Sequence, residues 1–133
     1  MNGIHFVDDQ FIPSFRSVGD ENLQVSQWLR MGDIVSMETN QNETWSVMLN
    51  PQPNDIQQGY LGNCWLMAAL ALVTQRPRML SHILLTSTVN DQGIYLVRIC
   101  HNGLWKIVLL DDCFPCTERR HLAFSQVRRH ALE

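Results

Sequence analysis

Hydrophobic and polar positions divide the chain into three stretches of different character. Residues 64–74 (CWLMAALALVT) are apolar on every side of a helical projection. Asn63 precedes them as an N-cap candidate, and Pro77 follows as a stop. The pattern predicts a central, buried helix starting at Cys64. Pro77 also suits the first position of a second helix, whose buried stripe is Leu80, Ile83 and Leu84. Residues 93–110 predict a β-hairpin: Ile94–Cys100 and Leu104–Leu110 are β-rich, and Asn102-Gly103 between them is the preferred pair for a two-residue type I′ turn. Tyr95, Val97 and Ile99 share one face of the first strand; Trp105, Ile107 and Leu109 share a face of the second. Asp111-Asp112 ends the strand, and Pro115 keeps the following loop extended. Residues 1–55 show no sustained period and predict irregular structure, with one or two helical turns at 23–30 and a breaker at Asn50–Asp55, where two prolines remove donors. The sum is an α+β domain, with residues 1–55 as an irregular lead-in to the helix and hairpin of residues 56–133.

Composition narrows the class. Of 133 residues, 45% are hydrophobic and 17% charged, a globular balance. A net charge of −3 argues against a general binder of nucleic acid or anionic membranes. The arginines at 119, 120, 128 and 129 read as solvated surface, flanked by Glu118 and Glu133. The apolar run from Cys64 to Val73 is half of the roughly 20 residues that cross a bilayer. No signal peptide is visible at the start, so a soluble cytoplasmic protein is expected, with cysteines 64, 100, 113 and 116 as thiols.

Chemistry concentrates in residues 58–70, QGYLGNCWLMAAL. Gly59 and Gly62 permit tight turns just before the helix. Cys64 then falls in the first helical turn, where free N–H groups and the positive end of the helix dipole favour a thiolate. A thiolate is the nucleophile that amide hydrolysis uses, and the same N–H groups stabilise an oxyanion. Gln58 lies six residues upstream, positioned to bring its amide back as a second oxyanion donor. Position alone leaves the alternative that Cys64 is an inert buried thiol.

The segment resembles the active-site stretch of the calpain family of cysteine proteases, which reads Gln-Gly-x-Leu-Gly-Asp/Asn-Cys-Trp-Phe/Leu-Leu-Ser/Ala-Ala. Other blocks are similar in the same order: FVDDQFIP at 6–13, QWLR at 27–30, Pro53-x-Asp55-Ile56-x-Gln58-Gly59, and the hairpin with Gly103-x-Trp105 and Asp111-Asp112-x-x-Pro115. Asn63 before the cysteine, and the loop after the hairpin, look like the small-optic-lobes type. The resemblance implies the Cys-bearing first lobe of a papain-like protease, with Cys64 as nucleophile, Gln58 in the oxyanion hole and protein or peptide substrates. It also implies calcium, which conventional calpains bind in this lobe. The carboxylate ligand aligns with Asp55 and two carbonyl ligands align with Met48 and Asn50, although Asn50 stands where conventional calpains have Gly.

The catalytic His and Asn of papain-like enzymes come about 130–150 residues after the Cys, whereas 69 residues follow Cys64 here. They are expected in a second lobe beyond this chain, and the histidines at 5, 82, 101, 121 and 130 do not match the family's catalytic His. The chain by itself is therefore expected to be inactive, and to present apolar surface where the second lobe would face it. One alternative is a non-catalytic regulatory or binding module derived from a truncated protease. Another is a zinc or redox site at Cys113-Phe114-Pro115-Cys116, but a lone pair of cysteines supplies half of a zinc site and no second pair has matching spacing.

Overall fold

The computed structural model describes residues 4–19, 23, 25–35, 45–48, 50–57, 59 and 61–125. Its elements run α1 (Phe15–Val18), β1 (Gln27–Arg30), a 3-10 turn at Met31–Asp33, a second at Pro53–Asp55, α2 (Cys64–Thr74), α3 (Pro77–Ile83), β2 (Tyr95–His101), β3 (Leu104–Leu110) and β4 (Cys113–Cys116). The fold is α+β, with few helices and two small antiparallel sheets.

The hairpin forms as its turn dictates. Asn102 and Gly103 take φ of 51° and 76°, the left-handed values of a type I′ turn. His101 then pairs with Leu104 and Tyr95 with Leu110. Residues directly opposite share a face, so Tyr95 and Val97 lie with Val108 and Leu110. Trp105, Ile107 and Leu109 lie on the other face with Cys100, Arg98 and Leu96. Residues 84–86 run along the free edge of β2, where the Leu85 N–H donates to the Leu96 carbonyl at 3.0 Å and the Leu96 N–H to Thr86 Oγ1 at 2.9 Å.

Residues 23–30 depart from expectation. Among the described residues of this stretch no helical turn forms, and Gln27–Arg30 is a strand paired with β4, Gln27 opposite Cys116 and Arg30 opposite Cys113. The predicted extended loop at 113–116 is the partner strand. Eight residues of mixed propensity carry little local preference, so a partner more than 80 residues away decides the outcome. Pro115 is tolerated because a two-stranded sheet leaves each strand an edge that needs no donor. Cys116 is fully buried beneath the pair.

Met31, Val47 and Tyr95 form the core, with Trp45, Met48 and Phe114 packed against them. These residues come from both sheets and the loop before α2, so this cluster joins the lead-in to the hairpin. The join is reinforced at Asp111 and Asp112. Asp111 accepts from the backbone N–H groups of Asp8 and Cys113 at 3.1 and 3.0 Å. Buried Asp112 pairs with Arg30, whose second guanidinium nitrogen donates to the Phe6 carbonyl at 2.6 Å. Burial alone would lower the Arg30 pKa; the hydrogen bond to Asp112, with the charges of Cys113, Asp112 and Asp111, more than offsets it and leaves that pKa raised. Gly93 turns beside this pair at φ 64°, and a Cβ there would crowd both the Asp112 carboxylate and the Arg30 guanidinium.

Helix α2 starts at Cys64 as expected, but its expected burial is not found. Thr74 is its one buried residue, and Trp65 and Leu72 are 72% and 66% exposed. The described chain places α3, the Pro53–Asp55 turn and residues near Ser125 against this helix. Those elements are too few to enclose a helix that is apolar all round.

Candidate active site

Cys64 is the first residue of α2 and is exposed. The turn is fixed by Asn63 through its backbone: its carbonyl accepts from the N–H groups of Leu66 and Met67 at 2.9 and 3.1 Å, and its own N–H donates to the Leu61 carbonyl at 2.8 Å. The predicted capping bond from the Asn63 side chain is not made. At φ −113° and ψ 29° the backbone already directs the carbonyl into the helix. The N–H groups of a helix's first turn have no acceptor within the helix, and the Cys64 amide is one of them. Gln58 lies outside the described residues.

The loop before Cys64 is held from the far end of the chain. A Cβ at Gly59 would run into the Phe124 carbonyl, so crowding restricts this position to glycine; the turn expected there involves residues 58 and 60, which lie outside the described residues. Ser125 reaches Met67 on α2, with Oγ 3.9 Å from the sulfur. Gly62 is the centre of the tight turn expected there, closed by the Asn63 N–H on the Leu61 carbonyl, and a Cβ on it would meet nothing within 4 Å.

Other sulfurs and imidazoles are engaged elsewhere. Cys113 and Cys116 sit three apart on β4 and therefore point to opposite faces. Burial pushes both thiols up; for Cys113, Arg30 opposes this and Asp111 and Asp112 add to it, while at Cys116 the Leu29 backbone opposes it. All four cysteines are free. The His82 ring packs edge-on to Trp105, centroids 4.7 Å apart, and accepts from Arg98 at 2.9 Å. His121 bonds the Val35 carbonyl at 2.7 Å through Nδ1, and His101 is the last residue of β2, beside the hairpin turn.

Met48, Asn50 and Asp55 lie on the loop ahead of α2. The Met48 carbonyl accepts from Ser46 Oγ at 2.9 Å, and the Asn50 carbonyl from Gln52 Nε2 at 3.4 Å. Asp55 Oδ2 accepts from the Gln52 N–H at 2.8 Å. Asn50 adopts φ 55°, the left-handed conformation that Gly takes most readily, which accounts for Asn being accommodated at a position where Gly was expected. Two carbonyls and a carboxylate are the oxygen chemistry that calcium takes, though fewer than its six to eight ligands. Among the described residues, no three His, Cys, Asp or Glu side chains gather into a metal site.

A sequence profile described as "Calpain family cysteine protease" matches residues 6–132. The chain belongs to the calpain family. It is 36% identical over 131 residues to the calpain-type cysteine protease DEK1 of Arabidopsis thaliana, covering 93% of this chain and 6% of that protein. It is 32% identical to the calpain-type cysteine protease ADL1 of Oryza sativa subsp. japonica, over 94% of this chain and 6% of the relative. Calpain-13 of Rattus norvegicus is 32% identical, over 83% of this chain and 17% of its own length. The chain thus spans a small part of the relatives it matches. These matches establish the family and not the small-optic-lobes type.

In sequence, Asp111 and Asp112 mark a strand end and fall in a block similar to the family's, with no partner assigned to either. Their signal was present in the pairing of a carboxylate doublet after the hairpin with Arg30 in the QWLR block, but local pattern does not say that the two meet.

Proposed function

We propose that this chain supplies the nucleophile-bearing lobe of a calcium-dependent cysteine endopeptidase. One observation carries the reading: the QGYLGNCWLMAAL segment of a calpain-family chain sets an exposed thiol on the first residue of a helix. The Cys64 sulfur attacks the carbonyl carbon of a peptide bond in a protein substrate, and its proton passes to an imidazole contributed by the second lobe. The Cys64 N–H and the Gln58 amide hold the resulting oxyanion. The imidazolium returns the proton to the leaving amine, and water then hydrolyses the thioester. His82 and His121 are occupied with Trp105, Arg98 and Val35, which supports a base from outside this chain and an inactive lobe when alone. The same observation favours the second reading, a non-catalytic regulatory module.

Free thiols, two of them exposed, are in keeping with the cytoplasm. Iodoacetamide labelling followed by mass spectrometry tests the nucleophile. Cys64 is expected to react before Cys100, which is also exposed but lies on a strand, and Cys116 is expected last because burial keeps it a neutral thiol. Labelling of Cys100 ahead of Cys64 counts against activation at the helix start.

When bound, calcium would tie the loop before α2 through Asp55, Met48 and Asn50. Calcium at millimolar concentration is expected to raise the unfolding temperature of the chain by a few degrees, about 1 kcal/mol. Asp55→Asn keeps an acceptor for the Gln52 N–H and is expected to lose that rise. An equal rise in both proteins removes Asp55 from the site.

A further inference from the structure

At the opposite end of α2 from Cys64, roughly 15 Å along the helix, a groove of about 670 Å³ opens between α3 and the hairpin tip. Gln75, Arg76, Pro77, Arg78, Met79, His82 and Trp105 line it. Its charge runs against that of the chain. The protein carries −3 overall, yet residues 56–110 hold Arg76, Arg78, Arg98 and Lys106 against the single acid Asp91. Arg76 and Arg78 are exposed and take part in neither of the ion pairs found among the described residues, Arg30–Asp112 and Arg120–Asp33. His82 and Trp105 form one wall, packed edge-on, and Arg98 holds the His82 ring from outside the groove. Met79 is 45% exposed and Trp105 49% exposed, leaving apolar surface between the guanidiniums.

We propose that this groove docks an acidic peptide segment carrying an apolar anchor residue. The anchor contacts Met79, Pro77 and Trp105, and its neighbouring carboxylates meet Arg76 and Arg78 through charge-assisted hydrogen bonds. A concave site of this size suits a peptide better than a bilayer, which presents a flat face, and the apolar surface of Met79 and Trp105 between the guanidiniums suits a peptide with an apolar anchor better than a polyphosphate, which has no such group. The site is separate from Cys64, and its test reads binding without hydrolysis.

The probe is a fluorescein-labelled nonapeptide of Glu with two central Leu residues, titrated with the 133-residue chain and read by anisotropy. Its affinity is expected to exceed that of the Gln-for-Glu analogue at least tenfold and to fall with added salt. The double variant Arg76→Glu, Arg78→Glu is expected to lose at least tenfold, the double Lys variant to retain most binding, and Trp105→Ala to weaken both. Circular dichroism confirms that each variant is folded. Absence of binding to the acidic peptide, equal binding of the Gln analogue, or unchanged affinity in the Glu double variant overturns the proposal. So does saturation by phosphatidylserine vesicles that the peptide fails to displace.

Discussion

Cys64→Ala is expected to abolish peptide hydrolysis, by about 10⁴-fold or more, once the lobe is placed in a complete protease core. A suitable form is a chimera in which residues 6–132, the span matched by the family profile, replace the corresponding segment of the Arabidopsis relative. The chain alone sets the baseline and is expected to cleave neither casein nor a peptide reporter, because the proposed base comes from the second lobe and His82 and His121 are committed to Trp105, Arg98 and Val35. The magnitude follows from how a covalent mechanism fails. Without the sulfur no thioester forms, and only the oxyanion donors and substrate positioning remain, which sustain a small residue of the rate. A Gln58→Ala chimera is expected to fall less, by about 10²–10³-fold, as for loss of one oxyanion donor. Cleavage that survives Cys64→Ala, or hydrolysis by the chain alone that is insensitive to it, would remove the thiol from the mechanism.

The second large effect is on stability. Asp112→Ala is expected to cost about 3 kcal/mol, near the low end for breaking a buried ion pair. Asp112 is 9% exposed at its side chain and Arg30 22%, so the stranded guanidinium would recover some contact with water but not full hydration. Three segments would loosen together, since Arg30 also holds the Phe6 carbonyl and Gly93 turns against the pair. Against a usual total of about 5–15 kcal/mol, such a loss leaves a marginal domain. Urea unfolding should show a lowered midpoint at constant slope, and Asp112→Asn, which keeps an acceptor oxygen, should lose less. An unchanged midpoint for Asp112→Ala would mean that the pair contributes nothing net.

What could be read in advance was whatever local chemistry decides. Asn102-Gly103 fixes the hairpin because its two positive φ values are nearly unique to such pairs. Pro77 and the apolar run bound α2 at both ends, so its start at Cys64 was legible. Strand β1 was not, because Gln27–Arg30 acquires its conformation from Cys113–Cys116, and nothing within four residues records so distant a partner. The exposure of Trp65 and Leu72 escaped for a related reason: an apolar side chain states a preference for burial, not the presence of something to bury it. Gly59 was singled out for the turn it permits, while its crowding by Phe124 comes from a distant contact that no local pattern records.

That crowding has a consequence for biosynthesis. Residue 59 leaves the ribosome 65 positions before residue 124, an interval of several seconds at ordinary translation rates of about 5–20 residues per second. Throughout that interval the loop leading to Cys64 lacks its contact with Phe124, so the approach to α2 takes its final shape only after residue 124 has been made.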